Sequence, residues 1–128
     1  MKVDLYCGGF SNQNCHSAKS LIETFKEYKQ NNRYWSFGRD VPYHRPPSVT
    51  EFNLRHVHLL TLKDYREYEQ VKKELYHRTS DKHLVYASSP YDYNHYLLIA
   101  IIDPQAHFTA QNLSFMRGLV DICNDHFG

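Results

Sequence analysis

The longest uninterrupted apolar segment of the chain is Tyr96–Ile102 (YLLIAII), and it limits the fold more than any other feature. A helix that spans a bilayer needs about 20 apolar residues, so this run is too short to cross a membrane. A short continuous run of branched side chains is typical of a strand that is buried on both faces. Asp103 and Pro104 follow it directly, and proline cannot donate to a sheet ladder. We therefore expect residues 96–102 to form the central, most buried strand of a β-sheet.

Hydrophobic periodicity predicts further elements around this run. Ser17 and Thr109 are candidate N-caps for two amphipathic helices, which extend to about residue 31 and to residue 127. The other expected elements are strands at 3–6, 54–62 and 83–87, a helix at 64–76, a turn at 78–81 and a hairpin connection at 88–94. The order β-α-(loop)-β-α-β-β-α predicts a small α+β fold in one domain, residues 1–128. We expect a mostly antiparallel sheet with helices packed on one face, and an open second face that could hold a strand of nucleic acid.

Residues 33–50 contain a glycine and three prolines, so we expect a long loop without regular structure. Cations and aromatic rings alternate in this loop, at Arg39, Tyr43, His44 and Arg45. This pattern suits the binding of unstacked nucleotides, although it also fits a proline-rich surface loop.

Charge is distributed unevenly along the chain. Residues 1–83 hold 14 Lys and Arg against 10 Asp and Glu, whereas residues 84–128 hold 1 against 4. A mildly basic first part that is rich in His and Tyr suits a polyanionic partner, but on charge alone an ordinary solvated surface is the favoured interpretation.

The cysteine content and the motifs exclude several classes of protein. Three cysteines, an odd and low number, argue against a disulfide framework, and the first residues lack the pattern of a signal peptide. We therefore expect a cytoplasmic protein. The sequence contains no G-x-x-x-x-G-K-[ST], G-x-G-x-x-G, G-x-S-x-G or H-E-x-x-H motif. Nucleotide-driven, serine-hydrolase and zincin activities thus have no support.

Histidines provide the first candidates for chemistry. His56 and His58 are two residues apart on one predicted strand, so their imidazoles share a face. Either could act as a general base, both could ligate a divalent metal, or both could be hydrogen-bonded within the fold. His107 follows the last predicted strand, where it could protonate a leaving oxygen or be only a polar residue near a helix start. No companion ligand lies at an obvious spacing, so we expect no metal or other cofactor.

Arg78 begins the predicted turn RTSD and is a candidate phosphate ligand, because its planar guanidinium can bind two oxygens at once. Asp81 could pair with Arg78 and orient it, although such a pair could also simply brace the turn. His83 and Tyr86 lie on the strand that follows and are candidates for contacts with the substrate.

Six short segments resemble the YafO family in their order and spacing. They are FxxYK (25–29), FGRD (37–40), HVHL (56–59), RTSD…HLVY (78–86), LLIAI (97–101) and P-x-x-H (104–107). The resemblance extends over roughly residues 17–128. YafO proteins are bacterial toxins of type II toxin–antitoxin systems, partners of YafN antitoxins, and ribosome-associated mRNA interferases grouped with the RelE-like toxins. The resemblance therefore implies a RelE-like fold, with a cleft for mRNA on the sheet face opposite the helices.

The resemblance also implies metal-free cleavage, in which the 2′-hydroxyl of the RNA is the nucleophile and no cofactor is required. His58 or His56 would accept the 2′ proton, His107 would protonate the 5′ oxygen, and Arg78 would neutralise the phosphate. Tyr86 and Arg39 would position the strand. The other RNA-binding candidates are Tyr43, His44, Arg45, Asp81 and His83. The implied partners are a YafN-like antitoxin, mRNA and the 70S ribosome, without a membrane.

Two further functions stay open at this point. A toxin of the same superfamily could act on DNA gyrase, which needs no acid–base pair. A non-catalytic module could use its His and Arg side chains only to bind RNA or an antitoxin.

Overall fold

The computed structural model describes residues 1–9, 12–45, 47–103 and 106–128, and it describes the backbone alone at 9, 12–18, 48–50 and 107–108. Within these residues the strands are β1 (Lys2–Leu5), β2 (Phe37–Pro42), β3 (Arg55–Leu59), β4 (His83–Ser88) and β5 (His95–Ile102). The helices are α1 (Asn12–Asn31), α2 (Leu62–Gln70), α3 (Ala106–Ala110) and α4 (Leu113–Phe127). Short 3₁₀ turns occupy Cys7–Gly9, Pro47–Phe52 and Leu75–His77.

The strands form one mixed sheet in the order β1-β5-β4-β3-β2. All neighbouring pairs are antiparallel except β1 and β5, which are parallel. The α+β class is therefore confirmed. The expectation that β5 is the central, most buried strand is wrong, because β4 occupies the middle of the sheet. All six residues of β4 are buried, whereas β5 has several half-buried positions.

Strand β2 lies in the segment that was expected to be an irregular loop. It forms an edge of the sheet and pairs only with β3. Pro42 is its last residue, and an edge strand tolerates a proline because one side of its backbone needs no ladder hydrogen bond. A shift in register between Phe37 and Asp40 marks a bulge, which the glycine in this segment accommodates. Gly and Pro thus indicated an irregular edge strand rather than a loop.

Helices cover both faces of the sheet, so the expected open face is absent from the part of the chain that the structure describes. Side chains of successive β4 residues point to opposite faces. On one face, Leu84 and Tyr86 pack with Phe25 of α1; on the other, Val85 packs with Met116 of α4. The expectation that all helices pack on one face is therefore wrong. Both faces of β4 are apolar, so each face is covered by a helix.

Several helix boundaries differ from those expected from periodicity. Helix α1 begins before Ser17. Helix α2 begins at a capping box, in which the Thr61 hydroxyl accepts from the Asp64 amide and the Asp64 carboxylate accepts from the Thr61 amide. Helix α2 ends at residue 70, earlier than expected. Thr109 lies within α3, and the cap of α4 is Asn112, whose side chain accepts from the Phe115 amide.

The states of Cys7 and Cys123 and the hydropathy of the helices can be compared with the expectations from the sequence. Cys7 is disulfide-bonded, so the cysteine count failed to predict this cross-link. Cys123 is a free thiol in the core, and burial raises its pKa to about 12. Among the residues that the structure describes, no helix combines the length and the apolar character needed to cross a membrane.

Candidate functional site

A network of charged and phenolic side chains surrounds the carboxylate of Asp40 in β2. Tyr28 and Tyr86 both donate to Oδ2 of Asp40, at 2.8 and 2.5 Å. Nε of Arg55 donates to Oδ1 at 3.0 Å, and Nη2 donates to the Asp40 carbonyl at 3.0 Å. Lys29 lies 3.7 Å from Oδ2 and donates to the Tyr86 hydroxyl at 2.9 Å. We call these five residues the Asp40 cluster. With Lys29 protonated, two cations face one carboxylate, so the cluster is positively charged.

Strand register explains why three members of the cluster share one face of the sheet. Arg55 pairs directly with Tyr86, and Asp40 pairs with Val57. Paired residues on antiparallel strands project to the same side, as do residues two apart on one strand. Asp40, Arg55 and Tyr86 therefore lie on the face that α1 covers, where Tyr28 reaches them from the helix.

Lys29 is enclosed by aromatic rings and largely removed from water. Its Nζ lies 4.8 to 5.8 Å from four ring centroids, those of Phe25, Tyr28, Tyr86 and Tyr96. Burial lowers the pKa of Lys29 below its ordinary value of 10.5, whereas the nearby Asp40 carboxylate opposes this shift. Burial and the same carboxylate raise the pKa of Tyr86 well above 10. Lys29 is therefore suited to exchange a proton, while the Tyr86 phenol stays protonated.

A cleft of about 410 Å³ opens beside the Asp40 cluster. Its lining residues are Tyr28, Gly38, Arg39, Asp40, Arg55, Leu75 and Tyr76. Nε of Arg39 donates to the Tyr76 carbonyl at 2.6 Å, and the Arg39 guanidinium stacks 4.3 Å from the Tyr76 ring centroid. Tyr76 is 58% exposed. The mouth of the cleft thus offers a guanidinium and an aromatic ring side by side, which suits a phosphate and a nucleobase.

Arg78 supports this cleft through its backbone rather than its guanidinium. Its carbonyl accepts from the Arg39 amide at 2.9 Å, and a Cβ on Gly38 would lie only 2.1 Å from the same oxygen. Glycine is therefore required at position 38. The Arg78 side chain is buried, and its Nη2 lies 2.9 Å from Oε1 of Glu69 in α2. The guanidinium is therefore paired with Glu69, and Asp81, its expected partner, is an exposed residue.

His56, His58 and His83 meet on the opposite face of the sheet, and we call them the histidine cluster. Their ring centroids are 4.0 to 5.6 Å apart, and all three side chains are buried. His56 pairs with Val85 and His58 with His83, so the imidazoles lie on the face that α4 covers. Tyr86 points to the other face. The structure thus brings three predicted histidines together but separates them from Tyr86 by the sheet.

His83 supplies a third imidazole that sequence spacing did not reveal. The ligand nitrogens of the histidine cluster all lie within 4.8 Å of one another. Ser80, however, donates its amide to Nδ1 of His58 at 2.8 Å, and its carbonyl lies 3.1 Å from Nε2 of His83. A neutral His58 therefore carries its proton on Nε2. If an ion bound Nε2 of His58, the ring proton would have to lie on Nδ1. There it would point at the Ser80 N–H, and two donors would oppose each other. This arrangement fits hydrogen-bonded core histidines better than metal ligands.

The remaining RNA-binding candidates occupy different environments. Tyr43 is buried in the core, and its ring stacks 4.4 Å from the ring of His56. The ring is therefore already covered within the fold, and this packing does not favour the predicted contact with a nucleobase. His44 and Arg45 are exposed. His107 lies in α3 with its side chain outside the described residues, and its neighbour Ala106 packs in the core on the α4 side.

Sequence reasoning missed four members of the Asp40 cluster: Tyr28, Lys29, Asp40 and Arg55. Tyr28, Lys29 and Asp40 belong to the segments FxxYK and FGRD, which carried the family resemblance, but these three residues were given no chemical role. A tyrosine and a lysine side by side on a predicted helix were available as a signal. Arg55 gave none, because it is an ordinary first residue of a strand.

Comparison with known families gives a match over most of the chain. A family model described as toxin YafO of type II toxin–antitoxin systems matches residues 26–127. The matched range contains the whole Asp40 cluster and the whole histidine cluster. No curated protein and no solved structure matches the chain.

Proposed function

Because the chain belongs to the YafO family of toxins from type II toxin–antitoxin systems, we propose that it is an endoribonuclease that cleaves translated mRNA on the ribosome. The family membership also gives it an antitoxin as a partner. The single observation that carries the proposal is Lys29, a half-buried lysine whose pKa burial lowers. It lies beside Asp40, which lines a cleft together with two guanidinium groups. The Asp40 cluster and this cleft form the proposed catalytic site.

Metal-free RNA cleavage requires a group that removes the proton of the 2′-hydroxyl. In this proposal Lys29 supplies it, because burial lowers the pKa of the amine and so favours the unprotonated form that acts as a base. The 2′-oxygen then bonds to phosphorus, the bond from phosphorus to the 5′-oxygen breaks, and water in the cleft gives that oxygen a proton. The products are a 2′,3′-cyclic phosphate and a free 5′-hydroxyl. The Asp40 carboxylate accepts hydrogen bonds from Tyr28, Tyr86 and Arg55, so it positions the base rather than acting as one.

The transition state carries extra negative charge on the phosphate oxygens, and fixed cations stabilise it. Arg55 is held by Asp40, and Arg39 is held against Tyr76 at the mouth of the cleft. Both guanidinium groups are thereby oriented before RNA arrives. Tyr76 offers its exposed ring to a flanking base. In this proposal Arg39 and Tyr86 keep positioning roles, while His56, His58 and Arg78 support the fold.

Dependence on the ribosome follows from the weak overall charge. The formal net charge of the chain is only +1, so non-specific attraction to the RNA backbone contributes little affinity. The ribosome holds mRNA in an extended form and can present it to the cleft. We therefore expect cleavage of mRNA on ribosomes to be much faster than cleavage of the same RNA in solution.

The test is to map 5′ ends of cellular mRNA after the toxin is induced, in the wild type and in Lys29→Met. Lys26→Met is a matched control, because Lys26 lies on the same helix and forms a surface ion pair with Glu23. We expect discrete cuts within translated codons in the wild type and in Lys26→Met. Lys29→Met should cut at least about 100-fold less, the usual effect of losing a general base. Co-purification with the antitoxin would verify that each variant is folded.

Two outcomes would contradict the proposal. Growth arrest without new mRNA ends would point to another target, such as DNA gyrase. Cuts by Lys29→Met at the rate of Lys26→Met would exclude Lys29 as the base.

A further inference from the structure

A second polar group joins the first strand to the last helix. Asp4 lies in β1, His95 is the first residue of β5, and His126 lies near the end of α4. Oδ2 of Asp4 is 2.6 Å from Nε2 of His95 and 2.9 Å from Nε2 of His126. The three ligand atoms all lie within 4.8 Å of one another. Asp4 lies outside the residues matched by the YafO model, so this group combines an N-terminal residue of this chain with two residues of the family domain.

We propose that Asp4, His95 and His126 bind a divalent transition-metal ion such as Zn²⁺. Two imidazole nitrogens and one carboxylate oxygen are a ligand set that zinc uses in proteins. At zinc–ligand distances of about 2.0–2.1 Å, ligands of a tetrahedral site lie about 3.3 Å apart. The two contacts with Asp4 would lengthen by only about 0.4–0.7 Å on that basis, which small rotations of the side chains can supply.

Access and charge favour an ion at this position. The side chains of His95, Asp4 and His126 are 21%, 28% and 33% exposed, so an ion can enter from solvent. A cleft of about 190 Å³ adjoins His126 and is also lined by Asp125, which leaves room for water or a carboxylate as the fourth ligand. The C-terminal end of α4 carries the negative end of the helix dipole, which attracts a cation.

The tautomers that the two imidazoles can adopt also suit metal binding. Each ring turns its Nε2 towards Asp4, and a neutral ring with its single proton on Nδ1 offers Nε2 as a ligand atom. The histidine cluster differs, because the Ser80 amide donates to Nδ1 of His58 and leaves no place for a proton there.

An ion at this site would cross-link three elements of the fold. Strand β1 has four residues, lies at an edge and pairs only with β5. The ion would fix β1 and β5 to the end of α4. It would therefore stabilise the fold, independently of the RNA cleavage proposed above.

The experiment uses the full-length chain without an affinity tag, freed of metal by chelation, and the probes are Zn²⁺ and Co²⁺. We expect one Zn²⁺ per chain by calorimetry, a higher Tm with Zn²⁺ than with Mg²⁺, and the intense visible bands of tetrahedral Co²⁺. His126→Gln and Asp4→Asn should each weaken Zn²⁺ binding at least 10-fold. His77→Gln, which changes an exposed histidine elsewhere, should bind as the wild type does.

The Tm of each variant in chelator shows whether it folds without the ion. His126→Gln alone is sufficient if Asp4→Asn does not fold, because His126 lies at the surface near the chain end. The proposal is overturned if the wild type shows no effect specific to Zn²⁺. It is also overturned if His126→Gln binds Zn²⁺ as tightly as His77→Gln, or if only His58→Gln abolishes binding, which would move the ion to the histidine cluster.

Discussion

Replacing Asp40 with asparagine tests what sets the pKa of Lys29, the proposed general base. The substitution keeps the size and hydrogen-bonding capacity of the side chain but removes its charge. Asp40 opposes the fall in the pKa of Lys29 that burial causes. Without that charge, burial and the Arg55 guanidinium act unopposed, so the pKa of Lys29 should fall further.

The size of the effect follows from the geometry. The two charges are 3.7 Å apart, and the side chains of Lys29 and Asp40 are 20% and 11% exposed. At an effective dielectric constant of about 40–80, their attraction is worth about 1–2 kcal/mol. Since one pH unit corresponds to about 1.4 kcal/mol, the pKa of Lys29 should fall by about one further unit.

The assay is NMR titration of lysine side chains labelled with ¹³C at Cε, with Lys29 assigned from Lys29→Met. Tyr28→Phe is the control, because it removes one hydrogen bond to Asp40 and leaves the charge in place. In single-turnover cleavage, the rate should rise with pH as Lys29 loses its proton, and Asp40→Asn should reach its plateau about one pH unit lower. The reasoning is refuted if Lys29 of the wild type titrates at or above 10.5, or at the same pH in Asp40→Asn.

Three further substitutions separate support of the fold from chemistry. Phe25→Ala should lower the free energy of unfolding in urea by about 3–5 kcal/mol, because its ring is fully buried. Arg78→Ala should lower the free energy of unfolding by about 1–3 kcal/mol, because it removes the ion pair of the buried guanidinium with Glu69 and its hydrogen bond to the Lys73 carbonyl. The soluble protein should cleave at the wild-type rate; normal stability with slow cleavage would instead support Arg78 as a phosphate ligand. His58→Asn should leave the pH–rate profile of the soluble protein unchanged, and loss of the acidic limb would instead make His58 the base.

Local patterns predicted which segments are regular but not how the sheet is ordered. The run YLLIAII does form a strand that pairs on both sides, yet β4 takes the centre because two strands lie on each side of it. Strand β2 was not predicted, because Gly and Pro disfavour strands when a segment is considered by itself. In the folded protein, pairing with β3 outweighs these local propensities. Likewise, the alternation of side chains along β4 did not reveal that α1 covers one of its faces and α4 the other.

The candidate site was predicted incompletely for a related reason. Arg39 and Tyr86 were recognised, but the residue types chosen for acid–base work were histidines, whose ordinary pKa is near neutral. Lys29 has an ordinary pKa far above neutral, and its burial among four rings, together with the Arg55 guanidinium, lowers that value. A sequence states the residue type and not the burial, so a perturbed lysine is invisible until the packing around it is known.

The register of the β-strands decides which residues of the YafO-like segments can act in one site. His83 and Tyr86 are three residues apart in one segment, so strand alternation sends them to opposite faces, and no single site can use both. Arg39 and Asp40 are neighbours and would be separated by the same rule. The bulge between Phe37 and Asp40 breaks the alternation, and both side chains line the cleft. The bulge brings Gly38 against the carbonyl of Arg78, and the same carbonyl accepts from the Arg39 amide. The backbone of Arg78 therefore helps to orient Arg39, although the Arg78 guanidinium lies outside the cleft.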